Sequence, residues 1–298
     1  MVVTVVWGAS AGPVAYTRKP LVPILRKMKT RILTTSAVFA LLLLTTRAEA
    51  QFTAPEVMPA EDYHAELGVM LWQPTPDLTL TTGDARVGTV DFVREFVIGK
   101  ERFNEFRATL KPGRKHKIRF NYLKFRYDED AVLQRTLTFQ NLSFPVAADA
   151  NANINWDLYR FGYEWDFISR SHGYVGLLTE LKYNKVQADV TASGQVLGQT
   201  ENISASVTQN APVPTIGATA RGYINQYASV TGEFTAFKLE RDDFRGTFYD
   251  FDIYGAAHFG KYLGAQAGYR SVTVDFLVDS DAGDMKMKGP YFGGFVRF

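Results

Sequence analysis

From residue 63 to residue 298, apolar and polar residues alternate with a period of two, the spacing of side chains on the two faces of a β-strand. Short turns are expected at Lys111-Pro112-Gly113-Arg114, at 169–173, at Asn225-Gln226 and at Gly260-Lys261. Longer connections are expected at 73–101, 128–153, 191–211, 240–246 and 279–285. The runs between them number about ten (eight to twelve strands), with the short turns and both chain ends on one side. Two segments stand apart. Residues 90–97 could form an extra strand, a loop helix or a plug, and 136–144 a separate hairpin.

One face of the alternation is apolar, as in Leu67, Val69 and Leu71, Ile118, Phe120 and Tyr122, or Tyr159, Phe161, Tyr163, Trp165 and Phe167. The other gathers charge: Glu66, Glu105, Arg107, Lys117, Arg119, Arg160, Glu164, Asp166 and Glu180, then Lys182, Arg221, Glu233, Asp250, Asp252, Arg270 and Arg297. The parity slips near Tyr122, Leu158 and Arg270, where β-bulges are expected. Two architectures accommodate such strands. In a soluble sandwich the apolar face meets a second sheet. In an antiparallel, up-and-down transmembrane β-barrel it meets lipid, and the charges line an enclosed lumen. Strand length and the aromatic residues near strand ends favour the barrel, whose closure leaves no sheet edge in hydrocarbon.

The N-terminal region points the same way. After the basic start Met28-Lys29-Thr30-Arg31, residues 32–44 are largely apolar, and Ala48-Glu49-Ala50 offers a small-residue cleavage site. This is the pattern of a secretory signal peptide over 28–50, with 1–27 an upstream extension and 51–62 a short segment before the barrel at 63–298. The first fifty residues hold seven of the 33 basic residues and one of the 31 acidic ones. The remainder keeps 26 against 30, a net charge of −4 in place of +2. The apparent basicity belongs to the leader, and no nucleic-acid partner is implied. Cysteine is absent, which excludes disulfides and thiolate metal sites.

The chain ends Gly289-Pro290-Tyr291-Phe292-Gly293-Gly294-Phe295-Val296-Arg297-Phe298. With the leader and the alternating strands, this terminus resembles the final strand of Gram-negative outer-membrane β-barrel proteins. The resemblance implies an outer-membrane location, lipid and the barrel-insertion machinery as partners, and an assembly signal at Phe292, Val296 and Phe298.

Chemistry is sparse. His64, His116, His172 and His258 are scattered, without H-E-x-x-H spacing. His258 and Asp252 on one strand would be about 20 Å apart. Gly8-Ala9-Ser10-Ala11-Gly12 matches G-x-S-x-G but precedes the leader and is followed at once by Pro13, outside the strand-turn-helix setting that motif needs. The acidic run 279–284 departs from calcium-loop spacing. No catalytic, metal or cofactor site is expected. The inward charges read as an ion-pair network filling a narrow lumen, and a charge placed at Phe161 or Ala218 is expected to cost more than one at Thr219. The sequence favours a non-enzymatic barrel, structural or a narrow pore for small solutes. The alternatives are an enzyme at the outer rim and a periplasmic protein binding an apolar ligand.

Overall fold

The computed structural model describes residues 4–7, 61–81, 89–96, 98–134, 136–139, 142–196, 199–241, 244–278 and 281–298. The leader and the G-x-S-x-G run lie outside these residues. Strands in chain order are β1 (Thr4–Trp7), β2 (Ala65–Trp72), β3 (Thr75–Thr81), β4 (Thr89–Asp91), β5 (Phe103–Gly113), β6 (His116–Val132), β7 (Leu137–Phe139) and β8 (Leu142–Phe144). There follow β9 (Asp149–Arg170), β10 (Gly173–Val196), β11 (Gln199–Asn225), β12 (Ala228–Arg241), β13 (Phe244–Phe259), β14 (Leu263–Val278) and β15 (Asp281–Arg297). One helical turn, α1 (Phe92–Glu95), follows β4.

Ten strands close into an antiparallel barrel in the order β2-β5-β6-β9-β10-β11-β12-β13-β14-β15, with β15 pairing back onto β2. Closure removes the stacked-sheet alternative. Phe298 exchanges backbone hydrogen bonds with Ala65 at 2.9 and 3.0 Å, so the two ends of the barrel sequence meet on the short-turn side. Above Trp72 the first strand is interrupted at Gln73-Pro74 and resumes as β3 along the same neighbour, β15. Gly289 faces the interruption, where a β-carbon would sit 2.1 Å from the Gln73 carbonyl oxygen.

The alternation has a physical boundary. On β9 the outward residues Tyr159, Phe161, Tyr163, Trp165 and Phe167 are apolar, while the inward Arg160, Glu164 and Asp166 are buried and charged. Above them the same parity continues with the chemistry exchanged. Asn151, Asn153, Asn155 and Asp157 point out, and Ala150, Ala152, Ile154, Trp156 and Leu158 are buried inside. The exchange recurs in register on β6 and β10, where Tyr122, Tyr159 and Tyr183 stand side by side. Their rings, 4.8 and 6.4 Å apart, form part of an aromatic girdle. From Tyr159 to Phe167 is about 26 Å of strand, or about 20 Å of height at a tilt of roughly 40°, comparable to the apolar band of such barrels.

Bulges were expected near Tyr122, Leu158 and Arg270, yet pairing is continuous through all three. The shifts lie at Leu110/Gly113, Val175/Leu177 and Tyr223/Asn225. What changes at Tyr122 and Leu158 is the chemistry of each face, apolar giving way to polar side chains outside and charge to apolar packing inside. Much of 128–153 and 191–211, expected as loops, is regular strand. Alternation carries β10 and β11 about 40 Å beyond Tyr183 as a long hairpin. The hairpin at 136–144 is present as the separate pair β7–β8.

Candidate functional site: the barrel interior

Every charged residue expected inside is on the inward parity, and the strands bring them together across the lumen. Arg119 on β6 reaches Glu233 on β12 at 2.8 Å and Glu164 on β9 at 3.1 Å. Glu105 on β5 receives Arg107 at 2.7 Å and Arg270, from β14, at 3.1 Å. Arg270 also holds Asp250 at 2.9 Å, and Lys182 on β10 reaches the same carboxylate at 2.7 Å. Arg160 pairs with Glu180 at 2.9 Å, and Arg107 approaches Asp252 at 3.4 Å, to which Tyr291 donates at 2.9 Å. Lys117 joins Glu164 and Asp166 at 2.7 and 3.0 Å. β6 and β12, like β5 and β13, stand four places apart in a ring of ten, so these pairs span the barrel.

Glu61, which precedes the first barrel strand, closes the short-turn end. Its carboxylate accepts from Lys111 at 2.8 Å, from Arg221 at 2.9 Å and from the Tyr223 hydroxyl. Tyr63 is buried beneath Arg297, whose guanidinium lies 4.5 Å from the ring centre. Glu66 and Arg297 pair at 2.6 Å beside this plug, separately from the central network. Sequence reasoning missed Glu61 and Lys111. A lone acid before the barrel carries no periodic signal, and Lys111 was assigned to a turn, whereas β5 continues through it and directs it inward.

Counting Glu61 and Lys111, the network sets eight cations against eight carboxylates. Such neutrality is what burial demands, since an uncompensated charge away from water costs several kcal/mol. Above the charges the interior becomes apolar. Trp72 covers Arg270, Phe248 covers Lys182, and Phe125 stacks on Trp156 with centroids 4.5 Å apart. The described part of the segment at 90–97, residues 90–96, supplies the lid: Val90, Phe92 and Phe96 are buried in this apolar layer. Asp91 starts α1 by accepting from the Arg94 backbone N–H at 3.0 Å.

Thr219 faces the lumen as expected, but it is 1% exposed and its hydroxyl has no partner among the described residues. A β-carbon added at the neighbouring Gly176 would meet both Asp166 Oδ1 and the Thr219 methyl, at 2.7 and 3.0 Å. A long charged side chain has no room there, so Thr219 is not the tolerant position that an open lumen would make it.

One arrangement resembles hydrolase machinery. Ser229 Oγ lies 3.0 Å from His258 Nε2. Arg297 approaches Nδ1 at 3.2 Å, and a guanidinium can only donate. Nδ1 therefore carries the lone pair and the neutral ring holds its proton on Nε2, which leaves no basic nitrogen facing the serine. His64, His116 and His172 also sit at the short-turn end, in or beside turns, and none reaches the opposite rim. Among the described residues no three His, Asp or Glu side chains are grouped to hold a metal ion. Phe292 and Phe298 lie exposed on the outer surface, 57% and 66%, with Val296 between them on the same face.

No family model matches this chain, and no curated protein matches it. Its fold has solved counterparts. The outer membrane protease OmpT from Escherichia coli aligns over 79% of this chain and 97% of its own, with a TM-score of 0.55 and 7% identity. The attachment invasion locus protein Ail of Yersinia pestis aligns with a TM-score of 0.35 and 11% identity, covering 79% of this chain and 99% of its own. The toluene transporter TodX of Pseudomonas putida aligns at 0.35 and 7%, covering 79% and 90%. The chain has the fold of the Gram-negative outer-membrane β-barrel proteins, in a ten-stranded form.

Proposed function

We propose that this chain is exported by the leader at 28–50, inserted in the outer membrane through its terminal strand, and acts as a sealed, non-enzymatic barrel. Its role is structural: it anchors the long β9-β10-β11 sheet on the exterior. Phe292, Val296 and Phe298 present the outward aromatic and apolar pattern that insertion machinery would read, and lipid is the partner of the belt below the tyrosine girdle.

The observation that carries the reading is the set of ion pairs spanning the barrel, Arg119 to Glu233 and Arg107 to Asp252, beneath an apolar layer closed by Phe92 and Phe96. A narrow conduit would require those pairs to part and leave buried charges exposed to one another. The purified protein in planar bilayers should give no current above background, and stepwise conductance would overturn the sealed reading. The protein should also fractionate with the outer membrane and migrate faster on gels before heating than after. Recovery in a detergent-free periplasmic extract would refute the location.

A further inference from the structure

Outside the membrane, β11 carries an open edge. It pairs with β10 from Gln199 to Gly222, but with β12 only from Ile216 onward. Residues 199–215 therefore have one backbone edge that the barrel leaves unpaired. Pro212 and Pro214 lie opposite Tyr183 and Leu181 on β10. Proline has no N–H to give a neighbour, so these even-numbered positions direct their backbone polar groups toward the open side. By the same parity, Asn202, Ser204, Ser206 and Thr208 present N–H and C=O groups there. The prolines blunt the part of the edge nearest the membrane, whereas 199–211 contains none. The edge accepts a strand, since β1 pairs with it antiparallel, Thr4 opposite Ser206, Val5 opposite Ala205 and Trp7 opposite Ile203. β1 lies upstream of the expected cleavage site, so the exported chain would leave the edge uncovered.

We propose that this edge joins two copies of the chain held in facing membranes, by antiparallel addition of β11 to β11. The inference rests on the reading that the chain is an outer-membrane barrel with this sheet outside. The edge is complementary to itself about Ala205, one of the four positions that β1 pairs. An antiparallel copy places Ile203 opposite Val207 on the inner face and Ser204 opposite Ser206 on the outer face, which are favourable cross-strand pairs. Direction selects the facing membrane. Within one membrane every β11 runs from the exterior inward, so neighbouring copies offer parallel edges, and an antiparallel edge must come from the opposite surface.

Because the chain has no cysteine, Ala205→Cys places a single thiol on the two-fold axis. There a non-hydrogen-bonded antiparallel pair brings Cα atoms to about 4.5 Å, within disulfide reach. The exported protein, reconstituted in two differently tagged vesicle populations, should cluster them, and A205C should give disulfide dimers carrying both tags. Thr208→Cys, more exposed but opposite Asn202 in the pairing, should give none. Ser204→Pro and Ser206→Pro remove edge donors while sparing the β10 ladder, and should abolish clustering with heat-modifiable migration retained. Equal dimer from A205C and T208C, dimers confined to one vesicle, or clustering that survives both prolines would overturn the proposal. Should the prolines prevent folding, the comparison of the two cysteines still decides it. A protein absent from the outer membrane overturns the earlier reading, whereas one present there with A205C monomeric overturns only this inference.

Discussion

Replacing Asp250 by alanine should destabilise the barrel by about 3–5 kcal/mol, the cost of removing one partner from a buried ion pair. Asp250 is 4% exposed and lies between Arg270 at 2.9 Å, Lys182 at 2.7 Å and Arg160 at 3.7 Å. Without it, Lys182 retains Glu180 at 3.2 Å and Arg270 retains Glu105, but each loses its shorter contact. Charge then exceeds countercharge by one inside a closed barrel. Removing Lys182 together with Asp250, as methionine and leucine, should recover much of the loss, because the interior is again neutral and the apolar layer of Phe248 lies directly above. Urea unfolding of the refolded protein in detergent reads both changes. A loss below about 1 kcal/mol, the range of solvated surface pairs, would mean that water reaches the network.

The second large effect belongs to the outer surface. Arginine in place of Phe161 or Ala218 should cost about 2–4 kcal/mol, as for a cation near the bilayer midplane. Phe161 points outward between Phe120 and Leu181 on the neighbouring strands, and Ala218 lies between Leu177 and Phe234. Asn155, on the outward face of the same β9 but above the tyrosine girdle, should accept arginine with no measurable loss. Unfolding in lipid vesicles checks the contrast, and similar costs at Phe161 and Asn155 would contradict the belt.

The sidedness of the barrel was legible because a strand needs only a period of two to sort its faces, and residues such as Phe161 and Arg160 alternate without interruption. The same rule misled where the surroundings changed. At Leu158 an inward position turns apolar, and at Asp157 an outward one turns polar. Read as a single amphipathic strand, that exchange imitates a one-residue slip, although the backbone continues in register. The hairpin of β10 and β11 reads as loop because Ser, Thr, Asn and Gln in 191–211 resemble loop composition, yet Ala192, Ala205 and Val207 keep the inner face apolar. Which inward charges meet depended on barrel closure, a long-range property absent from local pattern. Arg119 and Glu233 are separated by 114 residues and meet because β6 and β12 face each other. Glu61 and the lid at Phe92 and Phe96 lie outside any long strand, where no periodicity marks burial.

The change of surroundings along β9 can be read by single cysteines in a chain that has none of its own. Substitutions at Asn151, Asn153, Asn155, Phe161 and Tyr163, all on one outward face, would be exposed in reconstituted membranes to a water-soluble maleimide and to a lipid-soluble photolabel. Labelling by maleimide at the three asparagine positions, and by photolabel at Phe161 and Tyr163, is the predicted outcome. Labelling by the aqueous reagent alone along the whole face would contradict it.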